Sequence, residues 1–245
     1  MTYLTSVADG IADGGSTTRD SPSLTVSGTN KVLWAFVANS DGTPATPTGV
    51  VWDPAGGAQA LTLQGSGITF ATYGNASLWR LIAPSDATGV VRATWAATKG
   101  ERMVGAWVET DIDQTTPNGT VATNSVATDT APVTAGAVST SVGQRVVQFM
   151  HAFDIGGAIA AGNLVTPTGT ERFDVATSGS GYDAIGAQEE TASGASTTPS
   201  WATSTRTLSG WASFAFALNE NAAGGGGPLV RGLTRSPLIH SRLLA

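Results

Sequence analysis

The chain has 245 residues, and only 12% are charged, against roughly 25% in an average globular protein. It carries 41% apolar residues, seven Trp and seven Phe, enough for a sizeable core, but no Cys and only two His, His151 and His240. These counts exclude disulfides, thiolate chemistry, Cys-based metal sites and multi-His metal centres. The net charge of −6 is unevenly spread: residues 1–220 hold all 18 acids and nine bases, whereas the last 25 hold Arg231, Arg235 and Arg242 and no acid. An acidic body with a basic tail fits docking to an acidic partner or simply a soluble surface. Scattered and outnumbered arginines argue against nucleic acid as a partner.

From the N-terminus, residues 1–22 are rich in Gly, Ser, Asp and Thr and read as a loop or arm, with a short strand at 23–27. MTYLTSVADGIADGG lacks the basic start and apolar stretch of a classical signal peptide, and no run is long enough for a transmembrane helix, so no membrane association is expected. Alternation and β-branched or aromatic enrichment predict strands at 31–38, 59–63, 76–83, 89–96, 102–109, 145–153, 182–188 and 210–218, with shorter pieces at 50–53 and 171–175. In 210–218 one face is heavily apolar and the other small, as in a strand with one face in a core. Stretches 115–141 and 189–208 are Thr/Ser/Ala-rich with Pro and read as long loops or weak edge strands. Helical patterns are missing. The fold class expected is all-β: an antiparallel β-sandwich, jelly-roll-like, over residues 23–220.

The chain echoes itself. Strand 31–38 is followed by Thr46-Pro47-Thr48-Gly49 and Val51-Trp52-Asp53; strand 145–153 is followed by Thr166-Pro167-Thr168-Gly169 and Arg172-Phe173-Asp174. Each half closes on a Trp-bearing strand, at Trp107 and Trp211. Halves at about 23–120 and 125–220 would be two stacked sheets or two tandem sandwiches, and the absence of a linker-like break favours one domain.

Residues 221–228 read as a linker, because Gly224–Gly227 cannot hold a strand or helix economically. Beyond it, 229–245 is apolar and basic. Ser236 before Pro237 fits an N-cap and first helical position, but the helix would be too short to stand alone. Such a segment becomes ordered by burying its apolar side chains. Leu229, Arg231, Leu233, Arg235, Leu238, Ile239, Arg242, Leu243 and Leu244 are therefore the expected docking residues, against the chain's own body or another protein.

Four stretches stand out: Asn30-Lys31-Val32-Leu33-Trp34, SLWRLIAPSDATGVVRATW at 77–95, VETDIDQTTPNGT at 108–120 and SWATSTRTLSGWASFAFAL at 200–218. Together they resemble a family of β-sandwich modules found in predicted structural proteins of tailed bacteriophages and in some bacterial surface proteins. The resemblance covers about 20–220 and departs from the family's loop pattern at Thr110-Asp111-Ile112-Asp113, where Gly is expected before the second Asp. It implies a virion protein exposed on the particle surface, such as a head decoration, head fibre or tail component. Its partners would be major capsid or tail proteins, in a homo-oligomer or symmetric array. It carries no active site onto this sequence.

Candidate chemistry is sparse. Glu109, Asp111 and Asp113 are the densest acids, and on an extended segment they would point to one side and could gather round a hard cation or face a partner acid for glycoside hydrolysis. Acids at a strand end are more often solvated turn residues, as also for Asp9, Asp13 and Asp20, so no metal or other cofactor is expected. His151 shares a strand face with Val147, Phe149 and Phe153, which points to a buried, hydrogen-bonded ring rather than a base. No G-x-S-x-G elbow and no phosphate-binding loop occur. Trp34, Trp79, Trp95 and Trp107 lie within strands as core residues. Trp52 and Trp201, nearer strand ends, are the better candidates to stack on a sugar. The reading is a non-enzymatic structural protein with no catalytic residues, and the alternative is a module that binds a host-surface glycan.

Overall fold

A computed structural model describes residues 2–54, 57–128, 132–154, 164–177, 183–203 and 208–221. Among them the regular structure is β throughout, with no helix. The first half contains β1 (Thr2–Asp20), β2 (Leu24–Val26), β3 (Val32–Ser40), β4 (Gly49–Pro54), β5 (Gln59–Ala60), β6 (Thr62–Leu63), β7 (Ile68–Phe70), β8 (Gly74–Ile82) and β9 (Ala87–Thr110). The second contains β10 (Ala122–Val126), β11 (Val133–Thr134), β12 (Val138–Ser139), β13 (Arg145–Phe153), β14 (Leu164–Pro167), β15 (Thr170–Ala176), β16 (Asp183–Thr191), β17 (Ser196–Thr197), β18 (Ser200–Thr203) and β19 (Gly210–Ala217).

β3 is buried along its whole length and pairs with β8 on one edge and the C-terminal part of β9 on the other. Burial on both faces explains why VLWAFVA reads as a continuous apolar run. The predicted strands 89–96 and 102–109 are one 24-residue strand. Its N-terminal part pairs with β2 and β4 and curls over the far face of the sheet. There Leu33, Ala35, Val37, Val104 and Ala106 pack against Leu24, Val50, Trp52, Val91 and Trp95. The resulting antiparallel sheet nearly closes on itself.

In the second half β13 lies between β16 and β19, with β15 and β10 outside them. Its even-numbered residues face β11–β18–β14 and β12–β17, where Met150, Trp201, Trp211 and Val133 form one cluster and Val146, Val138 and Ala215 another. The pairing of a central strand with a following hairpin partner and a closing Trp strand is therefore repeated in both halves. The Thr-Pro-Thr-Gly echo has a counterpart in hydrogen bonding: Thr48 N–H donates to Thr94 O at 2.8 Å and Thr168 N–H to Ser200 O at 2.9 Å. After that the halves diverge. Trp52 enters the first half's own core, whereas Phe173 enters the seam between the halves.

That seam is sandwich-like and aromatic. Trp34, Phe36 and Trp107 from the first sheet meet Phe149, Phe214 and Phe216 from the second, with Trp34–Phe216 centroids at 4.4 Å and Phe36–Phe149 at 5.7 Å. Gly105 on β9 is required by this packing, since a Cβ there would lie 2.6 Å from the Phe173 ring. β3 and β13 run in the same sense, so Ser40 and Phe153 reach one end of the seam while Glu109 and Arg145 mark the other.

The N-terminal segment corrects the sequence reading. Thr2–Asp20 is not a loop or arm but an edge strand that follows β9 from Thr110 back to Arg92, with register shifts around Ser16. β9 would otherwise leave a long row of backbone donors and acceptors without partners. Leu4 and Val7 pack on one core, Tyr3 and Ala8 on the other. The two Thr/Ser-rich stretches contain short strands: β10 to β12 in the first, β17 and β18 in the second.

Candidate functional site

The acids singled out from the sequence are spent in three different ways. Glu109 is fully buried; it accepts from Trp107 Nε1 at 2.6 Å and takes a bidentate contact from Arg145, at 2.8 Å to Oε2 and 2.6 Å to Oε1. Arg145 also reaches Glu189, which Arg172 grips from its other side, and Arg172 lies 3.9 Å over the Tyr3 ring. This clamp ties β1, β9, β13, β15 and β16 together, and a buried carboxylate needs such complete pairing. Asp111 instead occupies a left-handed turn position at φ 59°. Asp113 accepts the backbone N–H groups of Thr115 and Thr116 at 2.7 and 2.9 Å, which hold its carboxyl below the usual carboxylate range. The three do not converge on a point where a cation could sit. No group of three metal-binding side chains occurs among the described residues.

Trp52 and Trp201 are both fully buried in the structure, so neither offers a ring face to a sugar. Each is pulled inward by the strand it sits in: Trp52 into the first half's own core, Trp201 beneath β13 against Met150. The docking residues Leu229, Arg231, Leu233, Arg235, Leu238, Ile239, Arg242, Leu243 and Leu244, like residues 222–228 of the 221–228 linker, lie outside the described residues.

At the other end of the seam polar groups do converge. Asp183, at the start of β16, accepts from Ser40 Oγ at 2.5 Å and contacts His151 Nε2 at 2.6 Å, both through Oδ1. Asp183 and His151 are fully buried and Ser40 nearly so. Burial pushes the His151 pKa down from 6.5 to about 3, a hydrogen bond to the Asn75 backbone opposing this only in part. The ring is therefore neutral near pH 7. His151 faces the seam with Val147, Phe149 and Phe153, as its strand parity predicts, and Phe70 meets it edge-on at 5.2 Å.

The order of these three groups matters. In a nucleophilic triad the histidine stands between serine and acid. In this cluster the acid stands in the middle, so the Ser40 hydroxyl donates to the carboxylate rather than to the imidazole. Asp183 Oδ2 is buried and has no hydrogen-bond partner among the described residues. The cluster forms one wall of a cleft of about 230 Å3, lined by Ser40, Asp41, Tyr73, Gly100, Glu101, Phe153 and Asp183. Tyr73 and Phe153, with centroids 6.1 Å apart, also line a neighbouring depression of about 340 Å3 and form a ridge between the two.

Tyr73 is 43% exposed, and Val142 is the only other large apolar or aromatic side chain so exposed among the described residues. It is held out by the three-residue loop between β7 and β8, in which Ala71 and Thr72 take φ 50° and 69°. A β-branched residue in that region costs about 1–2 kcal/mol. The loop is fixed from below, because Phe70 lies where a Cβ on Gly74 would be 2.4 Å from its ring, and Asp41 N–H donates to Tyr73 O at 3.1 Å. Sequence reasoning missed Ser40, Tyr73 and Asp183. A tyrosine between two short runs, just before a Gly, carries no periodic signal, and Asp183 becomes visible only when β16 is aligned with β13.

No family model matches the chain, and neither a curated protein nor a solved structure is significantly similar to it.

Proposed function

We propose that the chain is a non-enzymatic structural protein of a tailed-bacteriophage particle, decorating the capsid or forming part of a head fibre or tail accessory. In this reading the body is a jelly-roll-like sandwich displayed in a symmetric array on major capsid or tail proteins. Residues 229–245, beyond the glycine joint, dock it there. The observation that carries the reading is the use made of the polar groups at the seam. The acids at 109–113 serve ion pairing and turn geometry, and Ser40 faces an acid rather than a base. The Glu109 cluster joins the two β layers, which supports a structural use of these groups. The apolar and basic composition of the tail supports docking, and repetition on a particle would supply the avidity a short tail lacks.

Cosedimentation with purified particles or empty heads that lack the protein tests this reading, using the full chain and a chain ending at Ala223. Binding by the full chain alone is the expected result. Equal binding by both moves the contact to the body, and binding by neither overturns the reading. The second reading, a module that binds a surface glycan, is favoured by one observation: the exposed Tyr73 at the edge of a cleft.

A further inference from the structure

We infer that the apolar cleft beside the 71–73 loop receives the C-terminal segment 229–245 of a second copy of this chain, so that copies join head to tail. The inference rests on the particle reading and extends it to how a fibre or array would grow: the first copy's tail holds the particle, and each later tail holds the copy before it. The receiving surface is apolar and divided. The cleft of about 230 Å3 and the neighbouring depression of about 340 Å3 flank the Tyr73–Phe153 ridge, and what the cleft exposes is almost all apolar. The cleft is smaller than the roughly 300–1,000 Å3 of sites that enclose a small molecule, so it fits a projecting side chain. The loop that holds Tyr73 out does so at a cost, with Ala71 and Thr72 both left-handed, and strain of this kind clusters at binding surfaces.

Composition and charge select the occupant. Residues 229–245 carry Leu229, Leu233, Leu238, Ile239, Leu243 and Leu244 together with three Arg and no acid. The body they would meet holds all 18 acids against nine bases, and the lining of the two depressions includes Asp41, Glu101 and Asp183 but no base. The field there favours a basic segment over an acidic one. Position selects between copies. Asn221, the last described residue, donates its N–H to Asp111 O at 2.8 Å, at the Glu109 end of the seam. The cleft lies at the far end of β13, about 26 Å away. Residues 222–228 span at most about 25 Å fully extended, so reaching the chain's own cleft would stretch the glycine joint along the whole body. A neighbour stacked end to end brings its cleft to the joint instead. A contact between two different patches propagates from copy to copy rather than closing as a two-fold pair.

The test is sedimentation velocity on the full chain from about 1 to 200 µM, a range set by the modest size of the contact. Species larger than dimers are expected, growing with concentration. Tyr73→Ala, which alters an exposed residue and is checked for folding by circular dichroism, should weaken association about tenfold or more. The full-length double variant Leu238→Asp/Leu243→Asp should do the same from the tail's side. Mixing the two variants is the deciding step. The intact tail of the first meets the intact cleft of the second, so the mixture should give one-to-one pairs and nothing larger. A parent that stays monomeric throughout overturns the inference, a tail lying in its own cleft included, and leaves particle docking to be judged by cosedimentation. Association that survives both variants, or a mixture in which the two do not pair, places the contact elsewhere and also overturns it.

Discussion

At the Glu109 end of the seam, every oxygen of two carboxylates accepts from Arg145 or Arg172, and with Tyr3 under Arg172 the cluster joins five strands from both halves. At the Asp183 end, eight residues further along β13, one carboxylate serves a hydroxyl and an imidazole through a single oxygen and leaves the other buried without a donor among the described residues. Both ends are built by the same strands and both bury charge. The difference lies in completeness of pairing. Where each carboxylate oxygen meets a donor, burial gives a fastening; where one oxygen is left, burial stores a demand for a donor.

The largest expected effect comes from opening the fastened end. Arg145→Ala leaves Glu109 fully buried without its guanidinium and should cost about 3–5 kcal/mol in urea denaturation. The Asp183 end should respond to acid instead. A histidine whose folded pKa is depressed below 6.5 to about 3 contributes stability that is complete above pH 6.5 and is lost as the pH falls toward 3. In that window the unfolded chain binds the additional proton, so stability falls by about 1.4 kcal/mol per pH unit. His151→Gln should flatten this slope relative to the parent, measured by urea denaturation across the window. Equal slopes would mean that the ring is already protonated against Asp183 in the folded state.

Between the two ends, Gly105→Ala would push on Phe173 and should cost about 1–3 kcal/mol, read as a lower urea midpoint with the sheets still formed. The smallest effect is a gain. Thr72→Gly relieves a left-handed β-branched residue, offset by the greater chain freedom of glycine, and should raise stability by about 0.5–1 kcal/mol in thermal unfolding. A loss on Thr72→Gly would show that the threonine side chain supports the loop.

The strands with strong periodicity were legible in the sequence. β3, β13 and β19 follow from their apolar patterns, and the buried, seam-facing His151 follows from its parity. β1 was hidden because an edge strand beside β9 needs backbone partners more than large side chains, and its Gly, Ser, Thr and Asp look like loop. Trp52 and Trp201 misled for a related reason: position near a strand end does not reveal which of two cores a strand faces when the layers are stacked. Ser40 and Asp183 are 143 positions apart, and only the alignment of the two halves brings them together.

The urea midpoint of Tyr73→Ala is the most direct test of the claim that the two ends of the seam carry unequal shares of the fold's stability. The account predicts a loss of about 1 kcal/mol or less, the worth of an exposed ring against Phe153. A loss matching that of Arg145→Ala would contradict it and make the Tyr73 ridge a second fastening.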